Sequence, residues 1–220
     1  MTTSGLRADA RRNREHLLAA ARDVFVEQGV EAPLDEVARR AGVGIATLYR
    51  RFPDRNALIR AVVFDVLGRV TNEVERAIEQ EPDAFRALAR YMHAALDARI
   101  AAVFPAVLER VPFEDPELLE ARDAASDPVV QIVERAQAEG SLRPDVAFGD
   151  IGLLLIRLSR PLPGAFPREL DNSLAHRHLD ILLDGLRCDA APGRKPLTGP
   201  AMSLPQLQDL GTRSEPPVDD

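Results

Sequence analysis

The chain has 220 residues, 45% of them hydrophobic, and a net charge of -7. That is long enough for one or two domains with a real core, and too apolar for a disordered chain. No apolar run reaches the ~18 to 20 residues of a membrane span, and the lone cysteine, Cys188, excludes an internal disulfide or a multi-cysteine zinc site.

Asp9 to Gln28 reads as an amphipathic helix with Leu17, Leu18, Ala21, Val24 and Phe25 on one face and Gly29 as its stop. Arg7, Arg11, Arg12 and Arg14 crowd its beginning, either as a solvated helix start or as an arm that meets DNA phosphates. The N-terminal segment has no apolar signal core, which points to the cytoplasm. The first 60 residues carry eleven arginines against eight acids, so a basic head precedes an acidic remainder.

Residues 34–52, LDEVARRAGVGIATLYRRF, predict two short helices joined by a three-residue turn. Leu34, Val37, Ala38 and Ala41 recur at helical spacing, Gly42 suits a left-handed stop, and Gly44 stands where the second helix is capped. Leu48 and Phe52 point inward, leaving Ile45, Ala46, Thr47, Tyr49, Arg50 and Arg51 on the rim and outer face, a combination suited to a DNA major groove.

Asp54 caps a long helix from Arg55 to about Glu79. The body that follows reads as helix after helix: Asp83 to about Phe104, a short element between Pro105 and Val111, and Glu117 to Ala125 with a break or kink at Pro128 before a continuation to Gly140. Asp145 to about Ser159 is apolar on more than one face and calls for burial on both sides. Glu169 to Leu186 is the last helix. These two helices, 145–159 and 169–186, can either close an intramolecular core or pair with their own copies in a homodimer. Residues 188–220 are rich in proline and read as a flexible tail in which Leu204, Leu207 and Leu210 form at most one turn.

No HExxH, CxxC, Walker or GxSxG motif is present. His176 and His178 lie on different helix faces, so no metal site is expected, nor any cofactor. Cys188 lacks a positioned base and reads as an inert thiol.

Taken together, LLAAARDVFVEQG, LDEVARRAGVGIATLYRRF and PDRNAL, from about Asp9 to Leu58, resemble the DNA-binding domain of the tetracycline-repressor (TetR) family. The resemblance implies an all-α homodimer: an N-terminal three-helix helix-turn-helix domain (1–57) followed by a C-terminal helical bundle (58–187) for dimerisation and a small-molecule effector. By position it casts Ile45, Ala46, Tyr49 and Arg50 as base-edge contacts, and Thr47, Tyr49, Arg51 and Arg55 as phosphate contacts. Pro33 and Gly44 depart from the hydroxyl residues often found at those two caps. Within the bundle the candidate pocket residues are those that break an apolar face: Tyr91, His93, Arg99, Phe104, Phe113, Arg157 and Arg160. The function implied is a regulator, most readily a repressor, of a palindromic double-stranded DNA operator. A ligand-independent architectural DNA binder, or a helical bundle or enzyme with a merely structural head, are the alternatives.

Overall fold

The computed structural model describes residues 3–99, 115–164, 166–188 and 195–207, with side chains from residue 11 onward. Phe104, Phe113 and the short element at 105–111 lie outside the described residues, as do Ile100 and Leu210.

The described residues form α1 (Thr3–Gln28), α2 (Leu34–Arg40), α3 (Ile45–Arg51), α4 (Arg55–Gln80), α5 (Ala84–Asp97), α6 (Pro116–Ala138), α7 (Phe148–Leu158) and α8 (Arg168–Leu186), and no strand. None of these helices is long and apolar enough to cross a membrane. One continuous core runs from Leu17, Leu18 and Val24 of α1 through Leu48 of α3 and the buried face of α4 to Leu88, Met92, Ile132, Leu155 and Leu179 of the body. The long α4 belongs to both parts: it packs on α1 at one end and on α5 and α6 at the other.

Three aspartates cap helices, Asp54 as the sequence predicts. Asp54 accepts from the Ala57 amide at 2.8 Å, Asp83 from Arg86 at 2.8 Å, and Asp115 from Glu117 at 3.1 Å and Leu118 at 3.3 Å. Gly29 and Gly42 take the left-handed φ that ends α1 and α2.

Four boundaries differ from expectation. α1 begins at Thr3 rather than Asp9. α5 ends at Asp97 rather than near Phe104, because Arg99 adopts a left-handed φ of 57° and stops the helix. Pro128 does not break α6: buried Ala125 and Ser126 before it and Val129, Ile132 and Val133 after it keep one face against α4 and α5. That burial outweighs a proline penalty of about 3 kcal/mol. α7 begins at Phe148 because Asp145 is held by Arg143 at 2.7 Å and 2.8 Å, and it is Asp150 that accepts from the Ala147 amide, at 2.9 Å. Within one chain α7 is buried on only one side: Ile151, Leu155 and Ile156 are covered, whereas Leu153, Leu154 and Leu158 are half-exposed.

Where the sequence predicts a flexible tail over 188–220 with at most one helical turn, the structure ties its described part to α7. Residues 195–207 lie across α7 as a strap. Lys195 O accepts from Arg143 at 3.3 Å, the Leu197 amide donates to Asp145 at 2.8 Å, and Met202 O accepts from the Gly149 amide at 2.8 Å. Residues 204–207 form one helical turn whose Leu207 reaches Gly152. Hydrogen bonds from Arg143, and then from the Leu197 amide, hold the Asp145 carboxyl well below the usual carboxylate range.

Gly149 is what permits the close approach, since a Cβ there would stand 2.5 Å from Met202 O. Gly149→Val is therefore expected to lift the strap without unfolding the body. Limited proteolysis within 195–207 should accelerate several-fold, and an unchanged cleavage rate would show that the contact at Gly149 does not hold the strap.

Candidate nucleic-acid interface

The head is built to hold a short helix outward. Leu48 is fully buried and Phe52 nearly so, fixing α3 through two inward side chains one turn apart. The opposite face presents Ala46, Tyr49, Arg50 and Arg51, all exposed, with Tyr49 50% accessible; Thr47 and Ile45 lie at the rim, half-buried. A bare small residue, a phenol and two guanidiniums on one face can enter a groove, touch base edges and reach phosphates.

The α3 cap offers no side chain: Gly44 is extended, with φ of -72° and ψ of 147°, and Pro33 before α2 likewise accepts nothing. At these two positions a hydroxyl contact to phosphate is absent by composition.

Arg55 is turned inward. Its Nη1 donates to Val30 O at 2.6 Å and Ala32 O at 2.7 Å, tying the start of α4 to the loop between α1 and α2. The structure thus gives Arg55 a scaffolding task that its expected phosphate contact did not include.

Arg39 and Arg40 of α2 are likewise engaged within the head. Arg39 makes two 2.8 Å hydrogen bonds to Glu36, and Arg40 donates to Glu36 at 2.7 Å and to Glu27 of α1 at 2.6 Å. Hydrogen bonds from Arg39 and then Arg40 lower the Glu36 carboxyl to about 2. A depressed carboxylate contributes above its unfolded pKa, so this clamp is intact at neutral pH and is lost only as pH falls toward 2. In the arm, Arg11, Arg12 and Arg14 are exposed on α1, with Arg11 3.5 Å from Glu15.

The head is joined to the body by ion pairs that spacing along the chain does not reveal. Arg22 of α1, only 8% exposed, pairs with Asp65 of α4, which Arg69 also contacts at 2.9 Å. Burial lowers the Arg22 pKa, opposed by the Asp65 charge. One residue on, Asp23 pairs with Arg168 at the start of α8 and lies 3.8 Å from Arg99. Glu27 is 3.9 Å from Arg168. A cavity of about 130 Å³ lies here, lined by Asp23, Glu27, Leu162, Phe166, Arg99 and Arg168.

Among the described residues, the candidate pocket side chains Tyr91, His93, Arg99, Arg157 and Arg160 do not line one common cavity. Tyr91 is a core side chain whose hydroxyl burial pushes well above its ordinary pKa. Arg157 and Arg160 are exposed at the end of α7. Arg99 lines two small cavities, and His93 borders an open groove of about 620 Å³ between α4 and α5.

Residues 17–62 match the profile described as bacterial regulatory proteins of the tetR family, and residues 81–188 match that of the SbtR-like transcriptional regulator C-terminal domain. The HTH-type transcriptional repressor LfrR of Mycolicibacterium smegmatis is 31% identical over 144 residues, spanning 63% of this chain and 73% of that protein. A TetR transcriptional regulator from Streptomyces coelicolor superposes with a TM-score of 0.55 at 31% identity, over 80% of this chain and 98% of the other. The TetR-like regulator LfrR from Mycobacterium smegmatis, solved in complex with proflavine, gives 0.55 at 26% identity over 77% and 95%. With the head, the connecting α4 and the helical body all accounted for, the chain belongs to the TetR family of DNA-binding transcriptional regulators.

Proposed function

We propose that this regulator is a repressor that binds a two-fold-symmetric operator as a homodimer and leaves it when a small molecule occupies the body. The observation that carries the DNA half is the outward face of α3, where Ala46, Tyr49, Arg50 and Arg51 stand exposed on a helix pinned by Leu48. Tyr49 and Arg50 read base edges with Ala46 and Ile45, while Thr47 and Arg51 hold phosphates.

Dimerisation through α7 and α8 is supported by the apolar side chains they leave uncovered: Leu170 is 46% and Ile181 60% exposed, beside the half-exposed Leu153, Leu154 and Leu158. Release is a population shift. Asp23 and Glu27 of α1 contact Arg99 and Arg168 of the body, and Glu27 also holds Arg40 of α2. A ligand that moves the end of α5 or the start of α8 therefore changes the tilt of the head. LfrR, a repressor with a proflavine complex, makes planar aromatic cations the first effectors to try.

Selection of random duplex DNA with the purified protein tests the reading. A palindromic consensus with half-sites about one helical turn or a multiple apart is expected, and proflavine or a related cation should release it. Recovery of DNA without a consensus would overturn the operator reading and leave a sequence-independent binder.

A further inference from the structure

Two histidines separated by 83 positions meet where α5 packs on α8: His93 Nδ1 and His176 Nδ1 are 2.8 Å apart. The rings are nearly parallel, with an interplanar angle of 11° and centroids 5.1 Å apart. The far nitrogens are matched as well. His93 Nε2 lies 3.1 Å from Asp180 Oδ1, and His176 Nε2 lies 3.1 Å from Asp97 Oδ1. Each helix thus supplies a histidine and, four residues on, the carboxylate that receives the other helix's histidine.

An ionised carboxylate can only accept, so each Nε2 carries a proton and donates it to its aspartate. That tautomer leaves an in-plane lone pair on each Nδ1, and at 2.8 Å the two lone pairs face one another. An electrophile between them turns that repulsion into attraction, and the choice is a shared proton or a metal ion.

We propose that the Nδ1 atoms of His93 and His176 bind a divalent late transition-metal ion, of the copper, nickel or zinc class, and that Asp97 and Asp180 orient the two ligands. A carboxylate on the distal ring nitrogen is one of the usual partners of metal-bound histidines, beside backbone carbonyls and water, and it raises the basicity of the ligating nitrogen. Two imidazoles on a tetrahedral ion at ~2.0 to 2.1 Å stand about 3.3 Å apart, so the pair must open by about half an ångström and each ring must turn until its lone pair leaves the line joining the two nitrogens and points at the ion. Both side chains are about one-third exposed, at 31% and 32%, which gives the ion a path and leaves room for water.

Among the described residues no group of three or more His, Cys, Asp or Glu side chains is placed to hold an ion. The described residues thus offer the ion two histidine nitrogens, with the rest of its shell left to water, and nitrogen donors select copper, nickel and zinc over magnesium and calcium. The neighbouring cations do not oppose it. In the groove beside His93, Arg69 pairs with Asp65, while Arg76 and Arg90 pair with Glu73. Sequence spacing offers no hint of this site, because each helix contributes a single histidine to it.

Titration of the full chain with Cu(II) at pH 7.5, free of any affinity tag, tests the proposal by calorimetry and electron paramagnetic resonance. One equivalent is expected to bind, with hyperfine structure from two imidazole nitrogens. His93→Asn and His176→Asn should each weaken binding at least 100-fold. Asp97→Asn and Asp180→Asn, at exposed positions that leave the fold intact, should weaken it about 10- to 100-fold. His178→Asn, on the same helix but outside the pair, should leave it unchanged. No binding, a signal from fewer than two nitrogens, or binding that survives loss of either histidine would overturn the assignment and leave a proton-bridged pair.

Discussion

Tyr49→Ala combined with Arg50→Ala is expected to lower affinity for the selected operator by about 10²- to 10³-fold, with no change in melting temperature. Each base-edge contact supplies about 1 to 3 kcal/mol of discrimination, and 1.4 kcal/mol is tenfold in affinity. Both side chains are exposed, so their truncation removes no buried packing. The loss should be specific: mismatched duplexes, already without those contacts, should bind nearly as before.

Arg51→Ala should behave differently, weakening all sequences alike and reducing the salt slope by about one. Arg55→Ala should behave differently again. Removing its guanidinium strips Val30 O and Ala32 O of their donor, which costs stability of about 1 to 3 kcal/mol and shows as a lower melting temperature. Electrophoretic mobility shifts at two salt concentrations, with thermal melts alongside, separate the three variants. If the double variant bound its operator at full strength, the assignment of α3 as the reading helix would fall.

The second large effect is on the joint between head and body. Arg22→Ala is expected to destabilise the protein by about 3 kcal/mol, the lower end of the range for breaking a buried ion pair, since Asp65 keeps Arg69 at 2.9 Å. The Arg22→Met, Asp65→Leu double variant should recover most of that loss, because apolar side chains of similar volume replace both charges together. Denaturant unfolding gives the comparison. A double variant as unstable as Arg22→Ala would show that the site depends on the charges themselves, not on filled space.

The head was legible because its information is local. Leu48 and Phe52 at i, i+4 and the glycine stop at Gly42 each act within one or two turns, and the structure reproduces them. The cap at Asp54 was legible for the same reason.

What escaped depends on partners far along the chain. Asp65 sits in the apolar period of α4, but nothing near it names Arg22, 43 positions away, as the residue that neutralises it. Pro128 looked like a break because its cost is local, whereas the packing that overrides it comes from α4 and α5. Arg55 was cast as a phosphate contact from its position just after α3, and only three-dimensional placement reveals the two carbonyls it serves.

The strap across α7 has a consequence for synthesis. Met202 is made 52 residues after Asp150, to which its amide donates at 3.3 Å. At ~5 to 20 residues per second, that is a delay of about 3 to 10 s. Throughout that interval Gly149 and Gly152 lie bare on a nascent chain, next to the helix surfaces proposed to join two subunits. If two subunits join there as proposed, the strap is the later of the two contacts to become available, and slower translation lengthens the time in which a second copy can reach α7 first.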